Sequence, residues 1–268
     1  MFIKKILNRL MLYLELLEYF FSKREKKKYD FVYRVKNVSN HLNNEEQTYN
    51  YFHHFFWNTA PERLREHRKF FRTDLRGFGE DAFHAMWYKI FEEFRPKTIL
   101  EIGIYRGQTI SLFSLLSKKF NIDSLIYGIS PFTPAGDSVS EYLSNLDYYE
   151  DVKFNFSHFN LPLPIFYKGL STDHDIITKF KDIKFDLIYI DGNHDYEVVR
   201  SDFENFSKFI KINGLLVFDD ASLYLDYHPR LYSSSGHPGP SKVADSISKK
   251  EFLEILRVGH NRVFQKLI

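Results

Sequence analysis

The sequence predicts an α/β fold: a doubly wound, mostly parallel β-sheet with a helical N-terminal extension. Residues 1–95 show helical periodicity without a clear strand, and from residue 97 onward short apolar runs alternate with amphipathic segments. That alternation is typical of parallel strands joined by helical crossovers. The boundary between the helical extension, residues 1–95, and the α/β domain, residues 96–268, is predicted between Arg95 and Pro96.

The overall composition excludes several classes of function. The 268 residues suit one α/β domain with an extension, and 37 Lys and Arg against 35 Asp and Glu provide no basic field for nucleic acid. The absence of cysteine excludes disulfides, zinc–thiolate sites and cysteine nucleophiles, and it favours a cytoplasmic location. We therefore expect a small-molecule or glycan partner and no nucleic acid.

The first element is an apolar segment, residues 1–21, which a basic cluster at residues 23–28 follows. Glu15 and Glu18 interrupt it and no small-residue cleavage site follows, so it fits neither a signal peptide nor a membrane span. Two interpretations remain. The helix docks on the protein or on a second subunit of a homo-oligomer, or it lies peripherally on the inner membrane face. The polar residues 37–44 predict a loop.

The next elements are five buried strands, at residues 98–102, 125–129, 164–167, 185–190 and 215–218. Leu112, Leu116 and Phe120 mark one face of a helix after the first strand, and apolar residues spaced by three and four between Tyr196 and Ile210 mark another. A closing pair of strands is predicted at residues 252–257 and 262–266.

Two connections are unusually long for this architecture. Residues 130–163, rich in Ser, Pro, Asp and aromatic residues, predict either a loop that covers a substrate or an ordinary crossover helix around residues 139–146. Residues 232–241 form a second such stretch, rich in Ser, Gly and Pro.

A glycine-containing turn ends the first strand. Glu101, Gly103 and Gly107 form the pattern E-x-G-x-x-x-G, which is not the dinucleotide fingerprint G-x-G-x-x-G. Gly103 allows a tight turn and a close approach of a ligand, and Gly107, Gln108 and Thr109 offer backbone N–H groups at a helix start. Glu101 supplies a carboxylate near the same crevice.

Three aspartates stand where two apolar strands end: Asp191 after residue 190, and Asp219 with Asp220 after residue 218. The ligand crevice of an open α/β sheet lies outside the carboxyl ends of strands about 4.8 Å apart, so these acids can reach one cation. Hard oxygen ligands favour Mg²⁺, with Ca²⁺ and Mn²⁺ as alternatives. Since consecutive strand residues point to opposite faces, shared binding requires a turn at Asp219. In the alternative interpretation, Asp220 caps a helix that begins at Ala221, and Asp191 begins an Asx-type turn before Asp195.

Three histidines and one arginine are further candidates. His194 stands three residues after Asp191, and an unperturbed pKa of about 6.5 makes a neutral imidazole available as a general base. The alternative is a surface histidine that caps a helix. His237 and His260 are secondary candidates for substrate contact, which turn chemistry alone also explains. Arg76 could meet a phosphate or carboxylate, but a surface salt bridge is the better interpretation.

The order of these motifs resembles that of the class I S-adenosylmethionine-dependent methyltransferases. The glycine turn, Tyr127-Gly128-Ile129-Ser130, Ile190-Asp191-Gly192-Asn193-His194 and residues 214–220 carry the resemblance, across roughly residues 96–222. The later motifs look like those of metal-dependent O-methyltransferases that modify sugars of macrolides and related natural products, a group that includes proteins named for cephalosporin hydroxylation. The resemblance implies an S-adenosylmethionine site at Glu101, Gly103, Tyr105, Gly107, Gln108, Thr109, Ser130 and Asp191.

The chain departs from that family at the end of the second strand. The family commonly has an acidic residue there to hold the ribose hydroxyls, whereas this chain has Ser130 followed by Pro131. Ser130 would make a weaker contact, or Asp137 and Glu141 would fold back to serve.

The leading hypothesis is therefore an S-adenosylmethionine-dependent and divalent-metal-dependent O-methyltransferase that acts on a hydroxyl of a sugar or glycan-related molecule. A cation at Asp191, Asp219 and Asp220 would acidify the hydroxyl, and His194 would take its proton while the oxygen attacks the methyl group. One alternative is an oxidoreductase with a nucleotide cofactor on the same fold. A second alternative is a non-catalytic scaffold in glycan assembly or at a membrane.

Overall fold

The computed structural model describes residues 10, 13, 14, 17, 29, 31–42, 44–134, 136–137, 139–140, 142–230 and 233–268. Almost all of the apolar segment of residues 1–21 lies outside the described residues, as do the basic cluster of residues 23–28 and Glu141. The membrane contact, the homo-oligomer and the cytoplasmic location therefore stay predictions.

Between residues 31 and 94 the structure describes helices only: α1 (Val35–His41), α2 (Glu45–Asn58), α3 (Glu62–Arg72) and α4 (Asp81–Phe94). Helix α1 occupies most of residues 37–44, so the predicted loop there is wrong. Val35 and Val38 lie one turn apart and are both buried in the core, which outweighs the polar composition around them. Asn44 then caps α2, because its side chain accepts a hydrogen bond from the backbone N–H of Gln47 at 2.9 Å.

The strands that follow build one seven-stranded sheet within the described residues, in the order β3-β2-β1-β4-β5-β7-β6. They are β1 (Thr98–Ile102), β2 (Leu125–Ser130), β3 (Ile165–Lys168), β4 (Phe185–Ile190), β5 (Ile210–Phe218), β6 (Phe252–Val258) and β7 (Asn261–Lys266). Strands β1 to β5 are parallel, and β7 runs antiparallel to both of its neighbours. The predicted doubly wound, mostly parallel sheet with a helical N-terminal extension is confirmed.

Helices α5 (Gln108–Phe120), α6 (Tyr148–His158), α7 (His174–Thr178), α8 (Tyr196–Phe206) and α9 (Pro238–Ser246) connect the strands. The described residues of the loop 131–147 contain no helix, so the crossover helix predicted around residues 139–146 is wrong. The helix begins at Tyr148 instead. Asp147 caps it by accepting a hydrogen bond from the N–H of Glu150 at 3.1 Å, and Tyr148 is buried.

The two faces of the sheet bury two hydrophobic clusters. On one face Ile99, Leu187 and Val217 pack with α1 to α6, whereas on the other face Leu100 and Ile188 pack with α8 and α9. The helical extension therefore shares its core with the sheet, although the secondary structure changes type at the predicted position between Arg95 and Pro96. Within the described part of the chain, none of the helices combines the length and the hydropathy needed to cross a bilayer.

One acid is buried in the second cluster. Asp202 on α8 is 1% exposed between Val199 and Phe206. Burial raises the pKa of Asp202 from 3.8 to about 7. The folded state therefore holds the Asp202 proton at a pH where the unfolded chain releases it.

We predict that Asp202→Asn removes a pH-dependent loss of stability. The pKa of Asp202 is higher in the folded state than in the unfolded state. The protonated side chain therefore stabilises the fold fully below pH 3.8, and this stabilisation is lost as pH rises through about 7. Between pH 4 and 8, the melting temperature of the variant should rise relative to that of the wild type as pH increases. The difference between the two should become constant above pH 7. Glu204→Gln, a change of an exposed acid on the same helix, is the control. A constant difference between Asp202→Asn and wild type would contradict the prediction.

Candidate active site

The glycine turn after β1 packs directly against the end of β4. Gly103 has φ +94°, donates its N–H to Ile129 O at 3.0 Å, and leaves so little space that a Cβ there would lie 1.9 Å from Asp191 O. The N–H of Asp191 donates in turn to Ile102 O at 2.8 Å. A residue with a side chain would collide with backbone and adopt a strained φ, so the sequence prediction for Gly103 has a clear structural reason.

The first residue of α5, Gln108, has a buried side-chain amide in which only the oxygen has a hydrogen-bond partner. Gly107 precedes the helix with φ +81°, and Thr109 in the first turn is half-buried. The Gln108 side chain is 8% exposed, and its Oε1 accepts a hydrogen bond from Gly79 N at 3.0 Å. Its Nε2 is buried without a hydrogen-bond partner, as is Oε2 of Glu101 on β1. Unpartnered buried polar atoms are costly, so these two atoms suit a polar ligand at the turn.

Arg106 holds the glycine turn against α6, a contact that the sequence did not reveal. Its guanidinium makes two hydrogen bonds to Asp151, at 2.7 and 2.8 Å, and a third to Asp74 O at 2.7 Å. Asn155 donates to Arg106 O at 2.8 Å. A bidentate pair of this kind is geometrically specific, so the turn is held by charge-assisted hydrogen bonds as well as by the sheet.

The chain leaves the fifth strand at Asp219, where the metal hypothesis requires a turn. Strand β5 ends at Phe218, Asp219 N donates to Ile190 O at 3.0 Å, and Asp220 adopts φ +50°. The predicted turn is confirmed. No helix begins at Ala221, which instead bridges to Gly236, so the interpretation of Asp220 as a helix cap is wrong.

Four carboxyl groups meet at this edge of the sheet: Glu101, Asp191, Asp219 and Asp220. Burial, and then the charges of Asp219, Glu101 and Asp220, raise the pKa of Asp191 well above its usual range. Burial and the charge of Asp219 do the same to the pKa of Glu101. Asp191 and Asp219 share a side-chain hydrogen bond. The edge therefore holds more negative charge than its surroundings neutralise, which favours a bound cation.

His260 and Asn261, at the turn between β6 and β7, face the same acids. Asn261 Nδ2 donates to Asp219 Oδ1 at 2.7 Å, and His260 Nε2 lies 3.3 Å from the same oxygen. Burial alone would lower the pKa of His260, but the charges of Asp219 and Asp220 outweigh it and raise the pKa to about 10. His260 is thus a buried counter-charge and not only a turn residue.

His194 lies between two carboxylates. Its Nδ1 is 2.6 Å from Asp137 Oδ2, and its Nε2 is 3.0 Å from Asp220 Oδ2. Burial would lower its pKa, but the hydrogen bond and charge of Asp220 and the charge of Asp137 raise the pKa to about 9. The sequence predicted a neutral imidazole here. The structure differs because both neighbouring acids favour the imidazolium.

Two groups of side chains among the described residues have the spacing to hold a cation: Asp219 with Asp220 and His260, and His194 with Asp220 and His237. Asp191 belongs to neither group and reaches the first only through Asp219. A cavity of about 10 Å³ is lined in part by Asp191, His194, Asp219 and Asp220. That volume is at the lower limit for one water molecule.

A larger cavity lies away from the four carboxyl groups at the edge of the sheet. It measures about 250 Å³ between α2 and β6 and is lined in part by Glu45, Glu254 and Arg257. Arg257 pairs with Glu45 at 2.9 Å and with Glu254 at 2.7 Å, so these three charges compensate one another.

The remaining predicted residues have other tasks. The Ser130 hydroxyl donates to Ile104 O at 3.0 Å and accepts from Phe132 N at 3.2 Å, so its donor is used by the local backbone. Asp137 contacts His194 instead of turning back toward Ser130. Arg76 pairs with Asp74 at 2.9 Å, as the salt-bridge interpretation predicts.

Aromatic rings surround the glycine turn. Tyr105 lies within 6.1 Å of Tyr142 and within 5.5 Å of Tyr148 and Phe78, measured between ring centroids. Phe78 is 66% exposed although it is flanked by two glycines that pack against Gln108. Its exposed face and the ring of Tyr142 offer an apolar surface beside the turn.

Comparisons with known proteins give a matching family model and one curated relative. A family model described as a methyltransferase domain matches residues 100–221. An uncharacterized protein of Acanthamoeba polyphaga mimivirus is 32% identical over 157 residues, which cover 58% of this chain and 62% of that protein. The chain thus spans about three fifths of the length of this curated relative.

Solved structures share the fold at low identity. A methyltransferase of Podospora anserina bound to S-adenosylhomocysteine superimposes with a TM-score of 0.59 and 15% identity, over 85% of this chain and 98% of that one. An O-methyltransferase of Bacillus cereus gives a TM-score of 0.56 and 13% identity, over 84% and 100%. The sequence prediction of a class I methyltransferase fold is confirmed. The narrower likeness to sugar-modifying, metal-dependent enzymes stays a prediction.

We predict that Gly103→Ala and Gly192→Ala, at the two sides of the same contact, differ sharply. A Cβ at residue 192 meets no atom nearer than 3.7 Å, whereas at residue 103 it overlaps Asp191 O. Strain of about 1–3 kcal/mol, together with the collision, should lower the melting temperature of Gly103→Ala by roughly 5 °C or more. Gly192→Ala should stay within about 0.5 kcal/mol of wild type; equal behaviour of the two variants would refute the proposed contact.

Proposed function

We propose that this chain, which carries a class I S-adenosylmethionine-dependent methyltransferase domain across residues 100–221, is a metal-assisted O-methyltransferase. The observation that carries the proposal is the meeting of Glu101, Asp191, Asp219 and Asp220 beside the glycine turn at Gly103. The turn can hold the donor, and the acids can hold a cation and an acceptor hydroxyl on the same edge.

The donor site fits S-adenosylmethionine by its unsatisfied atoms. Glu101 Oε2 is an acceptor and Gln108 Nε2 a donor, and both are buried without partners. These two residues, with the backbone at Gly103 and Gly107, would hold the amino-acid part of the cofactor. When bound, S-adenosylmethionine supplies an activated methyl group.

The acidic edge fits a hard divalent cation such as Mg²⁺. Asp219 and Asp220 would hold it, with His260 as the further group at that spacing. Asp191 lies beside Asp219, with which it shares a hydrogen bond. A cation there would supply Lewis-acid polarisation of an acceptor hydroxyl. His194 Nε2, which lies on the Asp220 side, would receive the hydroxyl proton as the O–CH₃ bond forms and the sulfonium S–CH₃ bond breaks.

A sugar or glycan-related molecule is the acceptor class that we propose. Its hydroxyl groups match the carboxylates, and the apolar faces of its rings match the aromatic surface of Phe78, Tyr105 and Tyr142. The resemblance of the motifs to those of sugar O-methyltransferases supports the same choice.

Calorimetry with S-adenosylmethionine, with and without Mg²⁺, tests the proposed donor and cation. We expect donor binding in the wild type and heat from Mg²⁺ that disappears in Asp219→Asn and Asp220→Asn, since each removes a charged ligand. Asp226→Asn, whose side chain is 99% exposed, is the control and should bind both as wild type does. Binding of NAD without binding of S-adenosylmethionine would favour the oxidoreductase alternative and overturn the proposal.

Substitution of the base tests the chemistry separately. His194→Ala should lower kcat by about 10²–10⁴-fold and leave the affinity for S-adenosylmethionine nearly unchanged, because the ring acts only on the acceptor proton. Methyl transfer to a panel of sugars and nucleotide sugars, followed by mass spectrometry, supplies the rate. If His194→Ala transferred methyl groups at the wild-type rate, His194 would have no catalytic role.

A further inference from the structure

The loop between β2 and α6 supplies an acid to His194. Asp137 Oδ2 lies 2.6 Å from His194 Nδ1, and the same oxygen accepts the backbone N–H of His194 at 2.7 Å. Asp137 precedes His194 by 57 residues, so this contact joins the loop after β2 to the turn after β4. The opposite ring nitrogen, Nε2, faces Asp220.

Both oxygens of the Asp137 carboxylate accept hydrogen bonds. Its second oxygen, Oδ1, accepts the N–H groups of Val139 at 3.0 Å and of Ser140 at 2.7 Å, and the side chain is 1% exposed. Burial would raise the pKa of Asp137, but hydrogen bonds from His194 and Ser140 outweigh it and lower the pKa to about 2. Asp137 is therefore ionised. An ionised carboxylate only accepts hydrogen bonds, so the Nδ1 atom of His194 must donate.

We propose that Asp137 is the positioning residue for His194: it keeps the imidazole proton on Nδ1 and so presents the Nε2 lone pair to the acceptor side of the site. This role rests on the proposed function of His194 as a base. An acid that holds one ring nitrogen protonated and orients the ring is the arrangement that a histidine base requires.

The other neighbours of the ring cannot perform this task. The Ser140 hydroxyl lies 3.4 Å from Nδ1 and can both donate and accept, so it does not select a tautomer. Asp220 also favours a proton, on Nε2, but a cation held by Asp220 would take up that charge. Asp137 would then be the acceptor that determines which ring nitrogen keeps its proton.

Nitrogen-15 NMR of histidine side chains tests the tautomer without any acceptor. In wild-type protein saturated with Mg²⁺ and S-adenosylhomocysteine, the neutral His194 ring, observed at high pH, should carry its proton on Nδ1. His194→Gln assigns the signals by removing them. Asp137→Ala should shift the proton to Nε2, the form that a free imidazole side chain prefers, and kcat should fall by about 10²–10⁴-fold without a change in KM for S-adenosylmethionine.

Asp147→Ala is the matched control. Asp147 belongs to the same loop and also accepts a backbone N–H, from Glu150, but it does not contact His194. Asp147→Ala should keep the wild-type tautomer. Asp137→Glu, which retains a carboxylate, should also keep it and should recover activity relative to Asp137→Ala. A wild-type ring protonated on Nε2, or an Asp137→Ala ring that keeps the proton on Nδ1, would overturn the proposal. If the tautomers behave as expected but no acceptor is methylated, the positioning by Asp137 stands and the proposed function fails.

Discussion

The concentration of four carboxyl groups at one edge of the sheet is the constraint on which the rest of the site depends. Parallel β1, β4 and β5 end side by side, so Glu101, Asp191, Asp219 and Asp220 arrive together because of the topology alone. Burying like charges is unfavourable unless partners compensate them. The pKa of Asp191 and of Glu101 rises well above the usual range for this reason. The neighbouring segments supply positive charge and hydrogen-bond donors that compensate these carboxyl groups.

The compensation comes from segments distant in the chain. The turn between β6 and β7 places His260 and Asn261 against Asp219, and the helical extension supports that turn through Phe83, whose ring lies 4.6 Å from that of His260. The extension also reaches the glycine turn through Gly79 and Gln108. The helices before the sheet therefore belong to the same structural unit as the site, consistent with the hydrophobic cluster that they share with one face of the sheet.

Local patterns in the sequence were enough to predict the strands, the glycine turn and the departure of the chain from β5 at Asp219, because each depends on neighbouring residues. Contacts between distant loops were not predictable. Nothing near Asp137 or Arg106 indicates that these residues meet His194 and Asp151. Helix α1 was predicted as a loop, and the alternative of a crossover helix at residues 139–146 placed that helix too early. The burial of Val35 and Val38 outweighs a polar composition in α1, and the Asp147 cap with buried Tyr148 determines where α6 begins.

The two halves of the site are held by different kinds of interaction, which bears on how they can change. Backbone hydrogen bonds at the edge of the sheet, from Gly103 N and Asp191 N, position the glycine turn, so it is inseparable from the fold. Side-chain contacts from a loop, chiefly from Asp137, position His194. Substitutions in that loop can alter the position of His194 while the sheet stays intact. The fold is shared at 13–15% identity with solved methyltransferase structures, and in general a rigid scaffold positions loops that carry the functional residues.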